Sequence, residues 1–175
     1  MIIGIPKEIM HDEARVAATP ETVGKFVQDG FEVLVERHAG DGALYHDEDY
    51  VKAGARLIDN PQEIYDRAEM ILKVKEPLMN EALHKHEVDM MHKGQVLITF
   101  IHPASPVNHE MVKALSAKGV TAITLDGIPR ISRAQNMDAL TSMSTWPGCI
   151  MSTSCLCRAS FIKGSLTLRI ISARS

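Results

Sequence analysis

Between Pro129 and Ser144 the chain reads Pro129-Arg130-Ile131-Ser132-Arg133-Ala134-Gln135-Asn136-Met137-Asp138-Ala139-Leu140-Thr141-Ser142-Met143-Ser144, a stretch rich in hydrogen-bonding side chains. On a helix starting at Gln135, residues Gln135, Asp138 and Thr141 or Ser142 recur every three to four positions and fall on one face. Arg130 would sit on the loop before them. Such a ridge offers donors and acceptors to an amide-bearing ligand such as nicotinamide. A capped, solvent-facing helix has the same spacing. Arg15 and Lys75 lie beside apolar residues in segments that read as strand or strand end. At the carboxyl end of a parallel strand an arginine can clamp a carboxylate bidentately, and a lysine can polarise a carbonyl. Taken alone, both are more commonly snorkelling surface cations. His102 follows the apolar run Val96-Leu97-Ile98-Thr99-Phe100-Ile101 and precedes Pro103, a place for a general acid or base and equally for a structural histidine.

Two other groupings carry less. His84, His86 and His92 cluster loosely, but residues two apart on a helix do not share a face, so a solvated helical surface is the expectation rather than a metal site. Gly40-Asp41-Gly42 approaches the glycine fingerprint of a phosphate-binding turn but lacks the third glycine, so a surface turn is expected.

These side chains must be carried by alternating strands and helices. Ile2 to Ile5 is a short apolar strand ended by Pro6. Thr19 and Pro20 start a helix with Val23, Phe26 and Val27 as its apolar stripe, and Gly30 stops it. Phe31 to Val35 is the next strand. Asp47 is read as the cap of a short helix ending at Gly54, before a strand from Arg56 to Ile58. Asn60, Pro61 and Glu63 open another helix, followed by a strand from Met70 to Val74. Gln95 to Ile101 is a buried-type strand. Asn108 caps a helix carrying Met111, Val112 and Leu115 up to Gly119, and Val120 to Leu125 is a strand. This alternation predicts an α/β domain, a parallel sheet with helices on both faces.

With 175 residues, 45% of them hydrophobic and 23% charged, the chain can bury a real core. A net charge of −3 gives no reason to expect nucleic acid or an anionic membrane as partner. No apolar run approaches the roughly 18 residues of a membrane span, and no signal peptide is evident, so the cytoplasm is the expected compartment. Composition changes late in the chain: Asp138 is the last acidic residue, and Trp146 opens a stretch that holds Cys149, Cys155 and Cys157. Three cysteines at this spacing are expected to be incidental thiols. The stretch lacks helical periodicity and any clear hairpin, although Leu166 to Ile171 is a possible strand.

Gly4-Ile5-Pro6-Lys7-Glu8, then Asp12-Glu13-Ala14-Arg15-Val16-Ala17-Ala18-Thr19-Pro20, then Ile71-Leu72-Lys73-Val74-Lys75-Glu76-Pro77 resemble signatures of the alanine dehydrogenase and pyridine-nucleotide transhydrogenase family. Asp12 stands where asparagine is usual, and Phe26 where leucine is usual. The resemblance covers about residues 1–145 and implies a Rossmann-like fold. Pro129 to Gln135, continuing to Asp138-Ala139-Leu140, is similar to the transhydrogenase loop over the nicotinamide ring. It implies that Arg130, Gln135, Asp138 and Thr141 bind NAD, with Gln135 and Asp138 closest to the chemistry; Thr141 replaces a serine. Arg15, Lys75 and His102 match positions at which alanine dehydrogenases bind pyruvate (Arg15, Lys75) and shuttle a proton (Lys75, His102), which is the alternative reading. The family's NAD-binding Rossmann unit would begin after the chain ends.

The domains expected are thus 1–133, an N-terminal family domain; 134–145, the start of an inter-domain helix; and 146–175, a tail foreign to the family. The family continues past Ser144-Thr145 with a residue followed by Ala-Gly. Trp146-Pro147-Gly148 can be encoded TGG-CCG-GGN, which read one base earlier after a G gives Val-Ala-Gly. The tail is therefore expected to be translated out of frame, which sequencing of the gene tests. The implied activity is hydride transfer between NADH and NADP, coupled to proton translocation in an intact complex, with NADP on a partner subunit or domain. Implied partners are a transhydrogenase beta subunit, a membrane domain and a second copy of the chain. A chain without the Rossmann unit is expected to be inactive alone; a non-catalytic module is the third reading.

Overall fold

A computed structural model describes residues 1–127 and the backbone of residues 149–151. Six strands form one parallel sheet: β1 (Ile2–Ile5), β3 (Glu32–Glu36), β4 (Arg56–Ile58), β5 (Met70–Leu72), β8 (Val96–Thr99) and β9 (Thr121–Thr124), in the order β4-β3-β1-β5-β8-β9. Counted among themselves, the strands run 3-2-1-4-5-6, the doubly wound Rossmann order. β2 (Val16–Ala18) stands outside this sheet and pairs in parallel with β10 (Cys149–Met151), through Val16 with Cys149 and Ala18 with Met151. A small hairpin joins β6 (Met79–Asn80) to β7 (Lys85–His86).

Helices cover both faces, as the sequence pattern predicts. Ile3, Ile5, Val33, Val35, Leu72 and Ile98 join Val23 and Phe26 of α1 (Pro20–Gln28) and Tyr50 of α2 (Asp47–Lys52) in one core. The intervening residues Leu34, Ile71 and Leu97 turn to the other face. There they meet α3 (Pro61–Arg67), α4 (Glu87–Met90) and α5 (His109–Lys118) through Ile64, Tyr65, Val88 and Leu115. Period-two alternation divides the strand side chains between the two cores. Gly4 lets α3 press onto β1: a Cβ there would lie 2.6 Å from Ile64 Cγ2 and 2.8 Å from Ala68 Cβ. Gln95, before β8, donates from Nε2 to the carbonyls of Tyr65 and Ala68 at 2.5 and 2.7 Å and so closes the end of α3.

Local signals set the helix ends. Thr19 Oγ1 accepts from the Thr22 amide at 3.2 Å, a cap worth about 1 kcal/mol. Gly30 and Gly119 adopt the left-handed conformation that stops α1 and α5. Three details depart from the sequence reading. His46, not Asp47, is the residue before α2, and its amide is held by the Asp49 carboxylate. Asn108 precedes α5 but its side chain does not cap it; Nδ2 donates backwards to Ile101 O at 2.8 Å. His84 and His86 lie in the β6–β7 hairpin region instead of on a helix, because the backbone of His86 is paired with Met79. Leu166 to Ile171 falls outside the described residues.

Candidate functional site

The strand order reverses between β1 and β5, and ligands of open α/β sheets bind outside the carboxyl ends of the strands at that point. β1 and β5 pair only at Ile3–Met70 and Gly4–Ile71. The chain beyond them supplies Glu8 on one side and Lys73 and Lys75 on the other. The next strands bring His102, after β8, and Asp126, after β9, to the same edge.

Arg15 stands at the start of β2, with its guanidinium gripped by Glu13. Nε donates to Glu13 Oε1 at 2.6 Å, Nη2 donates to Oε2, and the Arg15 amide donates to Oε1 at 3.1 Å. Partial burial of Glu13 opposes its ionisation, but these bonds and the nearby charges of Arg15 and Lys75 outweigh it and hold the carboxyl below its ordinary value. Arg15, Glu13 and Lys75 therefore share one electrostatic neighbourhood. The turn at Gly40-Asp41-Gly42 supports it from behind. A Cβ on Gly42 would lie 2.8 Å from Ala14 O, and one on Gly40 would lie 2.7 Å from the Tyr50 ring. Close packing, and not a phosphate, explains that glycine pair.

His102 is held in a left-handed backbone conformation, φ 49°, which side chains other than glycine adopt at a cost. Three contacts maintain it. Asp126 Oδ2 accepts the amides of Ile101 and His102 at 2.9 and 2.8 Å, and Asp126 Oδ1 lies 2.8 Å from His102 Nδ1. The imidazole also stacks on Phe100, with centroids 6.1 Å apart. Burial alone would raise the Asp126 carboxyl; the Thr124 hydroxyl and the two amides overcome this and lower it. A carboxylate on Nδ1 fixes the ring so that Nε2 is the nitrogen directed away from the pair.

Beneath Lys75 lies a wholly buried polar cluster. Lys73 Nζ is 2.7 Å from Glu87 Oε1 and 3.5 Å from Glu8 Oε2. Tyr65 donates its hydroxyl to Glu87 at 2.8 Å, and the Leu78 amide donates to the other Glu87 oxygen at 2.9 Å. Desolvation pulls the Lys73 ammonium down, but Glu8 and Glu87 together raise it, so it stays charged. Burial raises the Glu8 carboxyl although Lys73 lowers it. Burial and the facing carboxylate push the Tyr65 phenol well above its ordinary value.

Glu13 thus holds Arg15 and feels the charge of Lys75, and His102 stands one strand from Lys75, linked through Thr99, whose hydroxyl donates to Lys75 O at 2.9 Å. Arg130, Gln135, Asp138 and Thr141 lie outside the described residues. Sequence reasoning missed Glu8, Glu13, Lys73, Glu87 and Asp126. Lys73 left a signal, a charge between Leu72 and Val74 in an apolar run; Asp126 left a weaker one as the first acid after β9. Elsewhere, His38, Asp41 and Asp47 bring possible metal-ligand atoms within 4.8 Å of one another on the surface. Arg37 Nη1, 3.5 Å from Asp47 Oδ2, supplies a cation to that group already.

The family model for the alanine dehydrogenase/PNT N-terminal domain matches residues 4–146. The chain belongs to that family. It is 40% identical over 148 residues to the NAD(P) transhydrogenase subunit alpha of Haemophilus influenzae, covering 85% of this chain and 27% of that protein. To the alanine dehydrogenase of Bacillus subtilis it is 43% identical over 148 residues, covering 85% of this chain and 36% of that protein. The solved transhydrogenase from Sinorhizobium meliloti superposes with a TM-score of 0.72 at 36% identity, over 82% of this chain and 39% of that one. This member of the family therefore spans between a quarter and two fifths of the length of these relatives, and near-equal identity to both branches does not choose between them. No helix among the described residues is long and apolar enough to cross a membrane.

Proposed function

We propose that this chain is the N-terminal, nicotinamide-facing part of an NAD(P) transhydrogenase alpha subunit. The observation that carries the reading is the run Pro129-Arg130-Ile131-Ser132-Arg133-Ala134-Gln135, continuing to Asp138. β9 and the turn Leu125–Gly127 deliver the chain to the carboxyl edge of the sheet just before that run begins. Arg130, Gln135, Asp138 and Thr141 would then hold the nicotinamide end of NAD, and the bound dinucleotide would supply the hydride. The glycine pair at 40 and 42 does not fit its pyrophosphate, because it is packed against Tyr50 and Ala14. The chain consequently needs a second unit for tight binding and does not turn over alone. Its working context would be cytoplasmic, with a second copy and with the beta subunit and membrane domain that carry NADP and proton translocation.

A specific observation favours a second reading, an alanine dehydrogenase fragment. Arg15 and Lys75 share one neighbourhood, and His102 is oriented by Asp126, a layout able to bind an oxo-acid carboxylate and move a proton at His102 Nε2. Calorimetric titration with NADH and with pyruvate separates the two. The transhydrogenase reading expects NADH affinity no tighter than about 1 mM and no pyruvate binding. An NADH dissociation constant of roughly 100 µM or better would overturn the need for a second unit. Saturable pyruvate binding that Arg15→Gln abolishes would replace the first reading with the second.

A further inference from the structure

The reversal of strand order that opens the crevice also removes the support of the residues lining it. β1 and β5 exchange ladder contacts only as far as Gly4 and Ile71. Beyond that point the backbone of Val74 and Lys75 faces the gap on its β1 side. Glu8 fills the gap with a side chain: Oε1 accepts the Val74 amide at 2.6 Å and Oε2 accepts the Lys75 amide at 3.3 Å. The opposite side of the same segment is secured on β8, where Lys73 N–H donates to Ile98 O at 3.0 Å.

We propose that Glu8 is the positioning residue for Lys75: its carboxylate, anchored by Lys73, stands in for the missing β1–β5 ladder and fixes the backbone from which Lys75 enters the crevice. The proposal rests on the reading of this crevice as the ligand site. A carboxylate suits the task because it offers acceptors to two consecutive amides, whereas a glutamine offers one acceptor and one donor. Lys73, 1% exposed, keeps those oxygens in place. The charged and titratable groups near Glu8 are Lys73 from the end of β5, Glu87 from α4, Tyr65 from α3 and Arg15 from the loop before β2.

The test uses the full chain, isotope-labelled, with amide hydrogen exchange and proton chemical shifts read by NMR. In Glu8→Gln the Lys75 amide loses its acceptor and is expected to exchange at least about ten-fold faster, while Leu97 in the β5–β8 ladder does not change. Lys73→Met is expected to free both the Val74 and the Lys75 amides. The unmodified chain supplies a control that needs no variant to fold: lowering the pH should shift the Val74 and Lys75 amide protons together, with one midpoint. An unchanged Lys75 amide in Glu8→Gln, or separate titrations of the two amides, overturns the proposal. Pyruvate is the ligand probe; where it binds, Glu8→Gln should weaken it about ten-fold. Failure of pyruvate to bind the unmodified chain removes the carboxylate reading of the crevice, while the amide data still decide the role of Glu8.

Discussion

Lys73–Glu87 and His102–Asp126 are polar pairs of nearly equal length, 2.7 and 2.8 Å, at the carboxyl ends of adjacent strands. Their surroundings differ. The side chains of Lys73 and Glu87 are 1% and 2% exposed, those of His102 and Asp126 45% and 19%. The buried pair has its further partners supplied by the protein: Glu8, Tyr65 and the Leu78 amide. The rim pair keeps an imidazole open to solvent. Burial makes a charge expensive to leave unpaired, so the inner cluster works as a scaffold. Exposure makes a polar contact cheap to rearrange, so the rim pair carries little of the fold's stability.

The largest effect that could break this comparison is expected from Lys73→Met. It leaves Glu8 and Glu87 buried without a counter-ion and should cost about 3–5 kcal/mol in denaturant unfolding. A loss below about 1 kcal/mol would mean that the cluster is hydrated and is no scaffold. Tyr65→Phe is next: it removes one donor to a buried carboxylate and should cost about 2 kcal/mol by the same measurement.

The pH dependence of stability should separate the two regions by sign. Burial raises Glu8, so its contribution is complete below the ordinary value of 4.5 and disappears as the pH rises through the raised value. Asp126 is lowered, so its contribution is present above its ordinary 3.8 and disappears as the pH falls through the lowered value. Unfolding at a series of pH values should therefore show Glu8→Gln flattening only the decline towards higher pH. Asp126→Asn should flatten only the acid limb; a change on the same limb in both variants would contradict the separation. The smallest effect belongs to His102→Gln, expected to change stability by less than about 1 kcal/mol. Should it cost as much as Tyr65→Phe, the rim would be scaffold too.

What could be read directly from the residues is uneven across these regions. The strands at Ile2–Ile5 and Arg56–Ile58, and the Thr19 and Asn60 caps, were legible because each depends on a few neighbouring residues. His102 could be placed at a strand end because an apolar run leads into it. Its partner could not, since Asp126 lies 24 positions away and reaches it only through the β8–β9 pairing. Asn108 shows the same limit on a smaller scale. Its position before α5 is a local signal, but its side chain turns back to Ile101 because the His102 corner offers a carbonyl there.

The sequence by itself determined the α/β class and the family motifs, because alternation, capping and motif spacing are properties of contiguous residues. Only the tertiary structure decided that Lys73 is the buried cation and Lys75 the one at the crevice, two residues apart in the same strand extension. It also decided that Glu13 takes the Arg15 guanidinium, and that Glu8 replaces a ladder absent where β1 and β5 part. Each of these depends on which strands become neighbours. Strand order is set by packing both faces of the sheet at once, and no short window of residues encodes it.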